Sequence, residues 1–260
     1  MGIIGALPAI LQNGTTADAS QVMADLNYIV NQVNANAMAA GTISPGSLVG
    51  IQVLTASGTY TPTTGATKAI VEAAGGGGAG GGASSTNSGQ WAFGAGGSSG
   101  AYGKIFIASG LVTQNVTIGV GGTGTVNGTG GNGGQTSFGS GAGALLVCPG
   151  GPGGAPGAAV STAATSVFAP QTPGAAAPSG TGRFLFSTSG GNGAAAFSLP
   201  SYAIGGDGGS NPIGQGGSAF NVSAATGYGA GGAGANNGIS QLAKAGLNGA
   251  TGVIIVYEFE

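Results

Sequence analysis

The chain has 260 residues, of which 61 are glycine and only 4 % are charged; an ordinary soluble domain carries roughly 25 % charged residues. Histidine is absent and the net charge is −2, which excludes a Ser-His-Asp triad, histidine metal sites and a basic face for a nucleic-acid backbone. Apolar residues make up 41 %, too many for a disordered tail, yet much of that share is alanine, so the core is thin and association with other copies or a larger assembly is expected. The lone Cys148 has no intrachain partner and reads as a small buried apolar residue.

Residues 1–14 are apolar (Ile3, Ile4, Leu7, Ile10, Leu11), and Pro8 argues against a helix there. The start lacks the basic region of a secretory signal, and no apolar run approaches the ~20 residues of a membrane helix, so membrane insertion is not expected. Thr15 and Asp18 have the spacing of a capping box. A helix follows to about Ala39, ended by Gly41 and Pro45. Within it Ala19, Val22, Leu26, Ile29, Val33, Asn36 and Ala40 alternate spacings of three and four. That is a heptad seam, and Leu at a with Ile at d favours three or four strands over two. Met23, Val30 and Ala37 widen the apolar face, so an ordinary amphipathic helix also fits the pattern. Residues 1–41 thus read as an attachment and oligomerisation segment.

Residues 42–57 read as a hinge and first strand, with Ile51 to Thr55 extended. Residues 58–260 read as a glycine-rich β domain. Gly58 to Pro62 suggests an edge strand ended by proline. Lys68 to Ala73 alternates as a strand and runs straight into Gly75–Gly76–Gly77–Gly78–Ala79–Gly80–Gly81–Gly82. Residues 101–107 alternate, as do residues 115–120 with Val116, Ile118 and Val120 inward. Gln135 to Phe138 and Leu145 to Cys148 are further short strands. Residues 158–204, rich in Ala, Ser, Thr and Pro, read as an insertion. The β-branched run from Val253 to Phe259 reads as a central strand.

Collagen is excluded because glycine fails to recur at every third place. The dense runs fit two arrangements: polyproline-II (PPII) segments packed backbone to backbone, or long surface loops held only at their ends. The fold class expected is therefore mainly β, with an N-terminal helix (a short coiled coil) and a glycine-rich domain carrying polyglycine or PPII-like segments. Away from the helix and the C-terminal end, only Glu72 and Asp207 carry carboxylates, and each is expected to be solvated. The Gly-x-Gly-x-x-Gly matches arise from composition, with no Gly-Lys-Ser/Thr following. No enzyme activity and no cofactor are expected. Aromatic side chains on glycine and serine loops suit stacking on sugars, which singles out Trp91, Phe93, Tyr202 and Tyr228; the same four could equally pack the thin core. An ice-binding reading is disfavoured by the lack of regular Gly-x-x triplets and of disulfides.

Two regions carry a family resemblance. Residues 11–27, Leu11-Gln12-Asn13-Gly14-Thr15-Thr16-Ala17-Asp18 onward to Asn27, resemble the opening of tailed-bacteriophage tail fibre and appendage proteins. Gly58-Thr59-Tyr60-Thr61-Pro62, then Val71 to Gly78, Gly100-Ala101-Tyr102-Gly103, Val116 to Gly121, and Gly227 to Gly232 followed by residues 249–257 are similar to the glycine-rich domain of phage tail fibres. The resemblance implies a virion protein of the tail, assembled in the host cytoplasm and commonly homotrimeric. Its N-terminus would join other tail proteins. Its glycine-rich domain would bind a bacterial surface glycan or outer-membrane protein. The alternative is a tail or head decoration or connector that touches no receptor.

Overall fold

The computed structural model describes residues 19–41, 46–164, 167–199 and 202–260. The chain divides into two compact units, one N-terminal up to Leu48 and one spanning Val49–Phe259. Among the described residues of the first unit one helix, α1 (Ala19–Gly41), extends two residues past the expected end and includes Gly41. Of the expected seam, Val22, Leu26 and Val33 are exposed and Ile29 is half-buried, so the helix carries an apolar stripe open to solvent. The side chains of Ala19, Asn36 and Ala40, the Thr15–Asp18 cap and the apolar residues 1–14 lie outside the described residues.

The second unit is built from short strands: β1 (Leu48–Leu54), β2 (Gly58–Tyr60), β3 (Lys68–Ala74), β4 (Gln90–Phe93), β5 (Tyr102–Ile107), β6 (Gln114–Thr117), β7 (Thr136–Phe138), β8 (Leu146–Cys148), β9 (Val160–Ser161), β10 (Val167–Ala169), β11 (Arg183–Thr188), β12 (Ala196–Leu199), β13 (Tyr202–Ile204), β14 (Gly214–Gln215), β15 (Thr226–Gly227), β16 (Asn236–Asn237) and β17 (Val253–Phe259). A five-stranded sheet in the order β1-β17-β3-β5-β11 faces a four-stranded sheet in the order β2-β6-β7-β8. The C-terminal strand β17 is central, as its β-branched run suggests, with Val256 opposite Val71 and Ile254 opposite Ala73 on β3. The core between the sheets gathers Val71, Ile105, Ile254 and Val256 from one side and Tyr60, Val116, Phe138, Leu146 and Cys148 from the other. Tyr60 and Phe138 meet with ring centroids 5.1 Å apart.

The glycine runs are extensions of these strands. Chain leaving β3, entering β5, leaving β6, entering β7, leaving β8 and entering β17 changes from a two-residue to a three-residue repeat. The backbone hydrogen bonds of residues 75–83 show this directly. The N–H groups of Gly75, Gly78 and Gly81 donate to the carbonyls of Ala101, Ser98 and Ala95. Those of Gly76, Ala79 and Gly82 donate to Gly134, Gly131 and Gly128, and those of Gly77, Gly80 and Ala83 to Ala250, Leu247 and Lys244. All nine distances are 2.8–2.9 Å. Three donor directions rotating with a period of three are the mark of PPII, which has three residues per turn and no internal hydrogen bonds.

The carbonyls complete the pattern. Gly76, Ala79 and Gly82 accept from Gly151, Gly154 and Gly157, Gly78 and Gly81 accept from Gly232 and Ala235, and Gly77 accepts from Gly122. Segment 75–83 therefore lies amid six neighbours, three antiparallel ones that receive its N–H groups and three that fill its carbonyls. Segment 94–101 repeats the arrangement: Ala95, Ser98 and Ala101 donate to Ala155, Pro152 and Pro149, while Gly94, Gly97 and Gly100 donate to Ala235, Gly232 and Gly229. The result is a bundle of packed PPII segments rather than surface loops. The buried backbone is satisfied laterally, as buried polar groups must be.

Close approach explains the glycine. A Cβ on Gly77 would stand 2.0 Å from the Ala230 carbonyl oxygen, and one on Gly80 would stand 1.9 Å from that of Ala233. Backbone atoms cannot swing aside as a long side chain can. Neither glycine has a positive φ, so the need is for space.

Three expectations are corrected. Val120 points outward at 67 % exposure, because alternation stops at Gly119: Gly119 and Val120 already belong to the bundle, where the Gly134 N–H donates to the Val120 carbonyl. Glu72 is not solvated but buried against Tyr102 and Lys104. Residues 158–204, expected as an insertion, are woven in: β11 pairs with β5, and Gly96 and Ser99 donate to Ala194 and Gly191 in the bundle.

Candidate binding surface

Residues 75–83 run away from the sandwich, so their outer end and the turns beyond it form the far end of the bundle. Here β16-β4-β9 and β10-β12-β13 make two small sheets. Side chains tie the connecting loops together. The Ser84 hydroxyl donates to Asn127 Oδ1 at 2.5 Å, and Thr86 Oγ1 donates to the Gly238 carbonyl at 2.6 Å and accepts from the Gln241 N–H. Asn237, fully buried, donates to the carbonyls of Ser84 and Leu242 at 2.8 Å each, and Asn236 donates to the Ala203 carbonyl. Ser, Thr and Asn are suited to this role because their short polar side chains bond nearby backbone in turns.

These loops, strand β10 and the 218–223 turn present large apolar side chains. Phe168 is 68 % exposed, Phe220 70 % and Leu242 85 %; Val126, Val222 and Ile239 are exposed as well. The four aromatics singled out from sequence are not brought together. Phe93 sits on β4 at 2 % exposure and anchors a small core with Ala95, Ala169 and Ala196, so it is not a surface contact. Its place in a strand, with Trp91 and Phe93 pointing to one side, explains the burial. Trp91 packs against that core and is half-buried, lining a shallow pocket with Asn236 and Gly238. Tyr202 on β13 is 43 % exposed and meets Phe197 edge-on at 6.3 Å. Tyr228 lies near the sandwich, next to Gly229, which pairs with Gly100 and Thr251. Phe220, Val222 and Leu242 are not among the residues that the sequence singles out. Their signal is an apolar residue isolated among Ser, Asn, Gly and Gln, as in Ser218-Ala219-Phe220-Asn221-Val222-Ser223, where no strand alternation exists to bury it.

Two buried carboxylates, Glu258 and Glu72, are structural. Glu258, fully buried on β17, accepts from Tyr60 Oη and Thr63 Oγ1 at 2.6 Å each, from the Thr63 N–H at 2.9 Å and from Gln52 Nε2 at 3.0 Å. Burial works to raise its pKa, but the hydrogen bonds from Thr63, Tyr60 and Gln52 outweigh it and hold the carboxyl below its ordinary value. Glu72 accepts from Tyr102 Oη at 2.5 Å and pairs with Lys104 at 3.4 Å. Burial and the adjacent carboxylates push both tyrosine hydroxyls well above their usual range. Burial likewise pushes the Cys148 thiol up to about 12, and its Sγ sits 3.4 Å from the Ala73 carbonyl. Among the described residues, no three His, Cys, Asp or Glu side chains cluster to hold a metal.

Strands that extend into a glycine bundle, with Glu72 and Glu258 spent on internal hydrogen bonds and loops gathered at one end, define a mainly β protein of the glycine-rich class. The chain belongs to the glycine-rich domain family, whose model matches residues 54–258. No curated protein matches it.

Proposed function

We propose that this is a phage virion protein of the tail fibre type that binds the host surface through the far end of its glycine-rich domain. The observations that carry the reading are the exposed Ile239 and Leu242 on a loop held by Thr86 and Asn237, the exposed Phe220 and Val222 on the turn held by Asp207, and the exposed Phe168 on β10. Fixed loops present such side chains to a partner at little entropic cost. The packed bundle beneath them is a stiff support. In the separate N-terminal unit, α1 with its open apolar stripe attaches the protein to the tail and joins three copies in parallel. The domain has no catalytic role and takes no cofactor in this reading. The partner is a cell-surface glycan or an outer-membrane protein.

Fluorescently labelled full chain is tested against a panel of bacterial strains, with phage adsorption measured in competition. Strain-selective labelling that blocks adsorption is expected. A correctly assembled oligomer that labels no strain overturns the reading in favour of a decoration or connector protein.

A further inference from the structure

One flank of the bundle carries a groove beside the apolar tips. Its central cavity, about 460 Å³, is lined by Asp207, Ser210, Gln215, Asn221, Ser223 and Thr226. It shares Ser210, Gln215 and Thr226 with a second cavity of about 350 Å³ over the β14–β15 ribbon. Through Ser218 it meets a small one of about 100 Å³ lined by Ala219, Val222, Ala235 and Leu247. The three adjoin through these shared residues; the central one is mainly polar, whereas the ribbon cavity, with Pro212 and Ile213 in its wall, and the small one are mainly apolar.

The polar groups are available. Asp207 Oδ1 accepts from the Ala219 N–H at 2.6 Å, which fixes the 218–223 ribbon as one wall. Among the described residues, the second Asp207 oxygen, the Gln215 and Asn221 amides and the Thr226 hydroxyl make no side-chain hydrogen bond within the fold, and all four residues are exposed. A carboxylate that only accepts, flanked by amides and hydroxyls that do both, suits adjacent sugar hydroxyls. An anionic polymer would meet Asp207 at the centre. The small apolar cavity lacks room for a sugar ring but takes a methyl or acetyl group.

We propose that this groove binds an uncharged saccharide segment carrying a methyl-bearing sugar, either acetamido or 6-deoxy. The inference rests on the surface-binding reading above and chooses glycan over protein as receptor. The test is titration of the full chain, followed by NMR, with tetrasaccharides of N-acetylglucosamine, of rhamnose and of glucose. Saturable binding of the first or the second, at least tenfold tighter than glucose, is expected. The first outcome assigns the acetamido form and the second the 6-deoxy form. Asp207→Asn retains an acceptor for the Ala219 N–H, and Gln215→Ala changes only an exposed side chain. Both are expected to weaken binding at least tenfold with thermal unfolding unchanged. Absence of saturable binding by all three sugars, or binding that ignores both substitutions, overturns the proposal. Cell labelling separates the two readings: labelling that survives both substitutions overturns the groove while surface attachment stands. Sugar binding through the groove without labelling of any strain supports the groove and removes the attachment reading.

Discussion

At the residue scale the molecule turns on glycine used for proximity. Gly80→Ala would place a methyl 1.9 Å from a backbone oxygen of the next segment, and overpacking of this kind costs about 1–3 kcal/mol or more. Gly58→Ala meets nothing within 4 Å at an ordinary φ and is expected to change stability by less than about 0.5 kcal/mol. Chemical denaturation of the two variants checks the contrast; equal effects would mean the bundle is loose. Glu258 carries a second residue-scale prediction. Its folded pKa is lowered, so its contribution is present above the unfolded value of about 4.3 and is lost as pH falls through the folded one. The unfolding temperature should therefore drop with pH below about 4. Glu258→Gln, which sets an amide N–H₂ among four donors, should cost about 1–3 kcal/mol at neutral pH and flatten that dependence. Cys148, buried with its thiol pushed up to about 12, should resist a maleimide at pH 8 until the chain is unfolded; rapid labelling of the native protein would place it at the surface.

At the scale of elements, the strands were legible because period-two alternation is written in Val, Ile and Phe. β3, β5, β7, β8 and β17 fall within a residue or two of their expected limits. Three features were not. The Val120 side chain looked inward because sequence alternation continues through Gly119, while the backbone there has changed to a three-residue repeat. β11 was hidden because Arg183, Phe184, Leu185 and Phe186 do not alternate, and the pairing with β5 shifts register between Phe184 and Phe186. Glu258 falls within the expected central strand, but composition gives no sign of its buried role; its alternation with Ile254 and Val256 puts it on the buried face of β17. For the binding surface, aromatic character alone misled at Phe93, where the strand buries it. The α1 stripe makes an element-scale prediction of its own. Leu26→Asp would place a charge in the proposed trimer seam, so light scattering should give a trimer mass for the native chain and a monomer mass for this variant. A native monomer would contradict the seam.

For the whole molecule, the central claim is that its glycine runs are the ordered interior. Composition alone left packed PPII segments and surface loops equally open, because glycine permits both; only the lateral hydrogen bonds of residues 75–83 distinguish them. A stiff bundle of this kind holds loops away from the sandwich without a large apolar core, which suits a chain with so few large side chains. The direct test is hydrogen exchange of the backbone amides of residues 75–83, followed by NMR or mass spectrometry. Every one of these N–H groups donates to a neighbouring segment, so protection comparable to that of β3 and β17 is predicted. Exchange at the rate of an unstructured glycine linker would contradict the account.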